Sequence, residues 1–276
     1  MKVLHGIHPE DFKQYDTQKI REHFLLDDIV QDDALNLVYT HYDRMIVGGV
    51  RPIEQKVMLG NFENLKAEFF LERREMGIIN VGGEGIINLE KGEHRLQKLD
   101  CLYIGQGEKQ VSFSSVNASE PAVFYILSTP AHRAYPTTLL KNNEAESGEM
   151  GSLETSNQRT IYRYIHKNGI QSCQLVMGLT ILKQGSVWNT MPAHTHDRRM
   201  EAYFYFDVPE NNVVFHFMGQ PHETRHIVIK NWQAAVSPPW SIHSGSGTSN
   251  YGFIWGMGGE NKEYSDMDGV AITDLR

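Results

Sequence analysis

Short runs of apolar residues, interrupted every few positions by turn residues, dominate the pattern of this chain. The one clear helical pattern covers residues 16–26, where Ile20 and Phe24 share an apolar face and Asp16 stands at the capping position. From about residue 37 the apolar runs are separated by Gly, Asn, Asp or Lys-Gly, which is typical of strands and tight turns. The pattern therefore predicts a mainly β protein with a few short helices.

The predicted strands fall into two groups on either side of a polar stretch. In the first half we predict strands at residues 37–42, 77–81, 85–89, 111–114 and 123–127. In the second half we predict strands at residues 159–165, 172–182, 202–207, 213–217, 226–230, 233–237 and 252–255. Residues 141–158 between them form a polar segment, either a linker or an ordered surface loop. We therefore expect an N-terminal domain at 1–150, which includes the short helix, and a C-terminal domain at 151–276.

The two halves also resemble each other weakly. Residues 71–76 (LERREM) are similar to residues 196–201 (HDRRME), and aliphatic or aromatic strand residues follow each segment. Many short strands with regular turn signals favour a β-sandwich or a small barrel. The repeat therefore predicts two such domains in tandem.

Composition and charge exclude several classes of protein. The 276 residues include 34 Asp and Glu against 26 Lys and Arg, and there is no dense basic run, so we expect no nucleic-acid partner. No apolar stretch reaches the ~20 residues of a membrane span, and the N-terminus lacks the apolar core of a signal peptide. The two cysteines, Cys101 and Cys173, form no C-x-x-C pair and no disulfide framework. We therefore expect a cytoplasmic protein without membrane contact.

Four residues of the second half form a candidate metal site. His194 and His196 are two positions apart, so on a strand their imidazoles point to the same face. Glu201 opens the next predicted strand and His243 lies on a later return strand. Imidazole and carboxylate ligands suit zinc and other borderline divalent ions. Although thirteen histidines could produce an H-x-H pair by chance, the four residues together predict one divalent ion, preferably Zn²⁺, with an open position for substrate.

The order H-x-H-x4-E followed by a distant His is the motif pair of the cupin superfamily, whose jelly-roll barrels hold a metal in this way. The first half has no such set around Glu72 and Glu75. We therefore expect two tandem cupin-like jelly-roll β-barrels, of which only the C-terminal one holds metal. Because cupins support many chemistries, an iron-dependent dioxygenase and a non-enzymatic sugar-binding protein remain alternatives with the same four ligands.

A closer resemblance covers most of the chain. The segments that carry it are residues 40–49, 70–75, 130–136, 185–199, 223–226 and 240–245. They resemble the 5-keto-4-deoxyuronate isomerase family. The resemblance implies a ketol-isomerase that converts 4-deoxy-L-threo-5-hexosulose uronate to 3-deoxy-D-glycero-2,5-hexodiulosonate in the breakdown of pectin and of unsaturated uronates. It also implies one zinc ion per subunit and a homohexamer.

Such a reaction removes a proton from C2 of the substrate and delivers one to C1. Glu201 is one candidate for the base; a water on the metal and a direct hydride shift are the alternatives. The substrate carboxylate requires a donor, and Arg163 and Arg199 are candidates because arginine binds carboxylates through two parallel hydrogen bonds. Tyr251 is a candidate for a further hydrogen bond to the substrate. Each of these three residues could instead serve packing or a surface ion pair.

Overall fold

A computed structural model describes residues 1–276, and its N-terminal segment contains both α-helices. This segment forms strand β1 (Lys2–Leu4), helix α1 (Pro9–Phe12), helix α2 (Thr17–Phe24) and strand β2 (Leu25–Leu26). The predicted capping by Asp16 is confirmed, because its side chain accepts a hydrogen bond of 2.9 Å from the backbone N–H of Lys19. Ile20 and Phe24 are buried as the helical pattern predicts. Helix α1 was not predicted, since four residues carry too little periodic signal.

Ten strands follow before the middle of the chain. They are β3 (Asn36–Thr40), β4 (Ile46–Val50), β5 (Val57–Met58), β6 (Arg74–Asn80), β7 (Gly85–Leu89), β8 (Gly92–Leu96), β9 (Cys101–Ile104), β10 (Val111–Ser115), β11 (Phe124–Pro130) and β12 (Thr138–Leu140). Short 3₁₀ helices lie at Glu63–Leu65 and Asn142–Glu144.

Twelve strands complete the chain. They are β13 (Glu146–Met150), β14 (Arg159–Ile165), β15 (Val176–Leu182), β16 (Trp188–Asn189), β17 (His194–Thr195), β18 (Arg199–Phe206), β19 (Val214–Gln220), β20 (Glu223–Ile229), β21 (Gln233–Ser237), β22 (Ser244–Gly247), β23 (Gly252–Gly259) and β24 (Asp268–Gly269). A last 3₁₀ helix spans Ile272–Asp274. No helix in the structure has the length and apolar character that crossing a membrane requires.

The sheets come in two corresponding sets. One set is a seven-stranded sheet of order β1-β3-β4-β11-β6-β9-β12 and a four-stranded sheet of order β5-β10-β7-β8. The other is a seven-stranded sheet of order β13-β14-β15-β23-β18-β21-β2 and a four-stranded sheet of order β16-β22-β19-β20. Strand β6 lies between β11 and β9 as β18 lies between β23 and β21. The predicted mainly β fold is therefore confirmed, and the weak sequence repeat coincides with a repeat of strand order.

The chain divides into two compact units. The first unit comprises Met1–Leu4, Asp28–Glu146 and Tyr164–Met177, and the second comprises His5–Asp27, Ser147–Arg163 and Gly178–Arg276. The core of the first unit draws on both of its sheets. Met76 of β6 and Ile126 of β11 on the large sheet join Ile87 of β7 and Phe113 of β10 on the small one in a single buried cluster. The two sheets therefore enclose one hydrophobic core.

These units differ from the predicted division between residues 150 and 151. Residues 5–27, which the prediction assigned to the N-terminal domain, belong to the second unit because Leu25 pairs with Ala235 and the rings of Phe12 and Phe24 pack against Trp240. Residues 164–177, which the prediction assigned to the C-terminal domain, belong to the first unit.

A buried carboxylate bonds to residues 164–177 and holds them in the first unit. Glu75 accepts hydrogen bonds from the backbone N–H groups of Cys173, Gln174 and Leu175, and further ones from Tyr103 and Thr129. Five donors compensate the cost of burying one charge. The polar segment 141–158 contains β13 and is thus ordered surface structure.

Candidate metal centre

Three elements of the second unit bring the four predicted ligands together. His194 begins the two-residue strand β17, Glu201 is the third residue of β18, and His243 immediately precedes β22. His196 is the first residue after β17, so the strand ends one residue earlier than the prediction assumed. The two imidazoles lie side by side as predicted, with ring centroids 5.6 Å apart.

The ligand atoms of His194, His196, Glu201 and His243 all lie within 4.8 Å of one another. Glu201 Oε2 is 3.0 Å from His196 Nε2 and 2.9 Å from His243 Nε2. His243 Nε2 is in turn 3.0 Å from His194 Nε2. The side chains of His196, Glu201 and His243 are buried, and His194 is half-buried. The geometry therefore converges three imidazole nitrogens and one carboxylate oxygen on a small volume.

The hydrogen bonds of His196 show that this arrangement suits a cation. Its Nδ1 lies 2.9 Å from the carbonyl oxygen of Arg199, which can only accept, so Nδ1 carries the proton. Without a metal, the 3.0 Å approach of Nε2 to Glu201 Oε2 requires a proton on Nε2 as well. Burial works to lower the pKa of His196, but the hydrogen bond and the charge of Glu201 outweigh it and raise the pKa. A divalent ion would take the place of that proton. Fixing the tautomer of a ligating imidazole through its other nitrogen is the usual arrangement at metal sites.

The pKa shifts of His194 and Glu201 favour the forms that bind a metal. Burial and the neighbouring imidazole of His243 lower the pKa of His194 to about 3, which keeps it in the neutral form that binds metal. For Glu201, burial works to raise the pKa, but the charge of His243 and hydrogen bonds from both His196 and His243 outweigh burial and hold the pKa far below its usual range. Neutral imidazole and ionised carboxylate are the forms that bind zinc.

A cavity of about 630 Å³ adjoins the cluster, and its size suits a small organic ligand. His194 and Glu201 line it, and Glu201 is the only carboxylate that does so. Tyr203 and Trp255 are among the aromatic residues of its wall. Tyr203 shares the strand alternation of Glu201 and lines the cavity. Tyr205, two residues further along the same strand, does not line it and forms a hydrogen bond of 2.8 Å with His216.

Two arginines reach the cavity from one strand. Arg159, Ile161 and Arg163 of β14 all line it, as alternate residues on one face of a strand should. Arg159 was not singled out from the sequence. It is half-buried, its Nη1 donates a hydrogen bond of 2.8 Å to the carbonyl oxygen of Asn157, and no acidic side chain pairs with it. Burial lowers its pKa. Recognising the alternation of positions 159, 161 and 163 would have indicated it.

Arg199 and Tyr251, the other two candidates for substrate contact, are not among the residues that line the cavity. The guanidinium of Arg199 is fully buried and its Nη2 lies 2.5 Å from a carboxylate oxygen of Asp266. The hydroxyl of Tyr251 accepts a hydrogen bond of 2.6 Å from Asn189 and donates one of 3.2 Å to the carbonyl oxygen of Val187. Both side chains are therefore bonded within the protein and do not line the cavity.

The first unit has different residues at the corresponding positions. When β6 and β18 are aligned on Arg74 and Arg199, Leu71 corresponds to His196 and Met76 corresponds to Glu201. Leu71 and Met76 are both fully buried in the hydrophobic core of the first unit. Apolar side chains therefore fill the place that the ligands take in the second unit.

Comparison with known proteins adds the family. The sequence model of the KduI/IolB family matches residues 30–271. A 4-deoxy-L-threo-5-hexosulose-uronate ketol-isomerase of Shouchella clausii is 53% identical over 276 residues, which is 100% of both chains. A protein of Bacillus subtilis with the same name is 49% identical, again over 100% of both chains.

Solved structures with similar folds are much more distant in sequence. An IolB-like protein of Salmonella typhimurium superposes with a TM-score of 0.71 at 12% identity, covering 90% of this chain and 96% of that one. An oxalate decarboxylase of Lactobacillus farciminis gives a TM-score of 0.56 at 8% identity, covering 82% and 79%. At such identities the similarity shows the fold alone, which is mainly β and cupin-like.

Proposed function

The chain belongs to the KduI/IolB family, and on that premise we propose that it is a metal-dependent ketol-isomerase acting on 4-deoxy-L-threo-5-hexosulose uronate. The product is 3-deoxy-D-glycero-2,5-hexodiulosonate, and the reaction serves the breakdown of pectin and unsaturated uronates. The observation that carries this proposal is identity of about half the residues over the whole length of relatives that bear this name. A cavity with a metal-type cluster at one end and arginines on its wall supports it.

His194, His196, Glu201 and His243 would hold one Zn²⁺ per chain, in the second unit only. A divalent ion there would act as a Lewis acid on the carbonyl and hydroxyl oxygens of the substrate. The donor set of three imidazoles and one carboxylate supports zinc, since these are its common ligands in proteins. The apolar Leu71 and Met76 at corresponding positions support a metal-free first unit. On this reading the two units are tandem cupin barrels of which one is catalytic.

Arg159 and Arg163 would hold the substrate carboxylate. Both line the cavity that contains His194 and Glu201, and Arg159 has no acidic partner of its own. A half-buried guanidinium facing a cavity gains most from a carboxylate, which it can bind through two charge-assisted hydrogen bonds. The substrate would thus lie with its carboxylate toward β14 and its C1–C2 end toward the ligand cluster. Arg199 and Tyr251 would act indirectly, by supporting neighbouring residues.

Glu201 is the residue we assign to proton transfer. Oε2 is 3.0 Å or less from both His196 Nε2 and His243 Nε2, whereas Oε1 has no hydrogen-bond partner in the protein. Because no other carboxylate lines the cavity, Oε1 would take the proton from C2 and return it to C1. The aromatic wall, which includes Tyr203 and Trp255, would limit exchange of that proton with bulk water.

We further propose that the protein is a cytoplasmic homohexamer. The resemblance to the isomerase family supports a homohexamer, which sedimentation of the purified protein would test. Both cysteines are free, which fits the reducing cytoplasm. The net charge of −8 supports a small-molecule partner over nucleic acid.

In the decisive experiment the purified protein is incubated with the proposed substrate, which a lyase produces from polygalacturonate. Zinc-loaded protein should form 3-deoxy-D-glycero-2,5-hexodiulosonate, followed by NMR, and a chelator should stop the reaction. Full zinc loading without turnover would refute the proposal. Oxygen uptake measured in the same tube separates the isomerase from an iron-dependent dioxygenase, because an isomerase consumes none. A sugar-binding protein without activity would bind the substrate and leave it unchanged.

A further inference from the structure

A second, smaller cavity lies in the first unit and is lined by positive charge. Its volume is about 170 Å³, and Arg44, Arg73 and Arg74 line it together with Tyr39 and Asn64. No Asp or Glu is among the lining residues. In a chain of net charge −8, three arginines around one cavity without a carboxylate require an explanation, because like charges repel one another. We call it the arginine cavity.

Arg74 is the buried member of this group, with 6% of its surface exposed. Its Nε donates a hydrogen bond of 3.1 Å to the hydroxyl of Ser128, and its Nη2 donates bonds of 2.7 Å to the carbonyl oxygens of Arg44 and Ser128. All three acceptors are neutral, no acidic side chain forms an ion pair with Arg74, and Nη1 has no hydrogen-bond partner in the protein. Burial lowers the pKa of Arg74 to about 10, although the charge of the neighbouring Glu75 works against this. A buried charge without a directly bonded counter-charge is costly. Three hydrogen bonds therefore fix the guanidinium of Arg74, and its Nη1 is left to donate to a ligand.

The two other arginines complete the wall of the cavity. Arg73 is exposed, and its Nη2 donates hydrogen bonds to the carbonyl oxygens of Leu65 and Lys66. Arg44 is exposed with a left-handed backbone conformation, φ 53°, that is uncommon for a residue with a side chain. Its carbonyl oxygen accepts the bond from Arg74. The turn that carries Arg44 is thus tied to the buried guanidinium, and the hydrogen bonds of Arg73 and Arg74 orient both residues in advance of any ligand.

We propose that the arginine cavity binds a small oxyanion, namely a carboxylate or phosphate group. Arginine recognises such groups through paired, charge-assisted hydrogen bonds. A bound anion would supply the counter-charge that Arg74 lacks and would relieve the mutual repulsion of three cations. The volume is enough for one such group and far below that of the cavity beside the metal-type cluster. The site is separate from the proposed reaction and does not depend on it.

The test is calorimetric titration of the zinc-loaded protein with sodium phosphate in one series and sodium acetate in another. We expect saturable binding of at least one of the two, with a Kd of about 1 mM or tighter. In the Arg44→Ala/Arg73→Ala double variant, binding should weaken at least about tenfold. Both residues are exposed, so this variant should fold. Arg95→Ala is the matched control, because Arg95 is an exposed arginine of the same unit whose partners are Glu84 and Glu93, and it should bind like the wild type.

The two series distinguish the sources of the anion. Preference for phosphate indicates a phosphorylated ligand, and preference for acetate indicates a carboxylic acid. Turnover of the double variant should equal that of the wild type. Equal binding by wild type and double variant would overturn the proposal, because any anion would then be bound elsewhere. Failure of both anions to bind would also overturn it. If the double variant then sedimented as a smaller species, an acidic side chain of a second copy would be the occupant of the cavity.

Discussion

The two units share one order of strands and differ in the side chains that point inward from corresponding strands. On β18 of the second unit, the inward positions include Glu201 and Tyr203, next to a cavity of about 630 Å³. On β6 of the first unit, the corresponding positions are Met76 and Ile78, both fully buried in a hydrophobic core. The comparison shows that this arrangement of sheets can enclose apolar side chains at the positions where the second unit has its cluster. The candidate centre is a local feature that a few polar side chains add to a common frame.

The two units also treat buried charge in different ways. In the second unit the buried side chains of His196, Glu201 and His243 contact one another in the candidate cluster. The first unit holds Glu75 outside its core with five hydrogen-bond donors and holds Arg74 with neutral acceptors only. Substitutions can therefore change the cluster of the second unit and the buried charges of the first unit separately.

The largest effect should come from removing a ligand. His194→Ala and His243→Ala should each lose the bound metal and lower the proposed isomerase activity at least about 100-fold, since even residues that only support a ligand cost 10–100-fold. Elemental analysis of the purified variants and a turnover assay measure both. His226→Ala is the matched control, because His226 is an exposed histidine of the same unit outside the cluster. Full metal content in either ligand variant would contradict the ligand assignment.

The next largest effect should come from giving the first unit a glutamate at the position that corresponds to Glu201. Met76→Glu should lower the free energy of unfolding by about 3 kcal/mol or more, because it buries a carboxylate among apolar side chains without donors. Met76→Leu, which conserves volume, should cost less than about 1.5 kcal/mol. Urea unfolding monitored by fluorescence gives both values. If Met76→Glu left stability unchanged, the first unit would have to contain polar partners at this position, and the contrast between the units would fail.

A smaller effect should follow from changing the cavity wall. Arg159→Met should lower kcat/KM about 10–100-fold by raising KM, because it removes charge-assisted hydrogen bonds worth about 1.5–3 kcal/mol. Arg163→Met should act in the same direction. Arg198→Ala is the control, since Arg198 is an exposed arginine of the same unit paired with Glu260 and should change little. Unchanged KM in both Arg159→Met and Arg163→Met would place the carboxylate elsewhere.

Much of the fold follows from local signals in the sequence. The predicted bounds of β7, β14 and β21 agree with the structure, since each strand is a short run closed by turn residues. Asp16 caps α2 as predicted. His194, His196 and Glu201 of the candidate cluster were also predicted from the sequence, because spacing along a short segment restricts where side chains can point. In these cases the relevant residues are close together in the chain, whereas His243 lies far from the other three and was predicted from the order of the motif pair.

The remaining features depend on contacts between residues far apart in the chain. Residues 5–27 belong to the second unit because Leu25 pairs with Ala235, and no local pattern indicates that pairing. Arg199 is beside the ligand motif in sequence, yet Asp266, 67 positions later, binds its guanidinium away from the cavity. Arg159 was missed because it is far from the ligand motif in the sequence. The strand that carries Arg159 approaches the motif only in the folded protein.

The account rests on a single metal centre that one of two similar units holds. Its most direct test is to strip the protein with a chelator and titrate Zn²⁺ back while following both bound zinc and conversion of 4-deoxy-L-threo-5-hexosulose uronate. We predict that binding and activity rise together and both saturate at one zinc per chain. Saturation at two zinc ions per chain, or full activity in the stripped protein, would contradict the account.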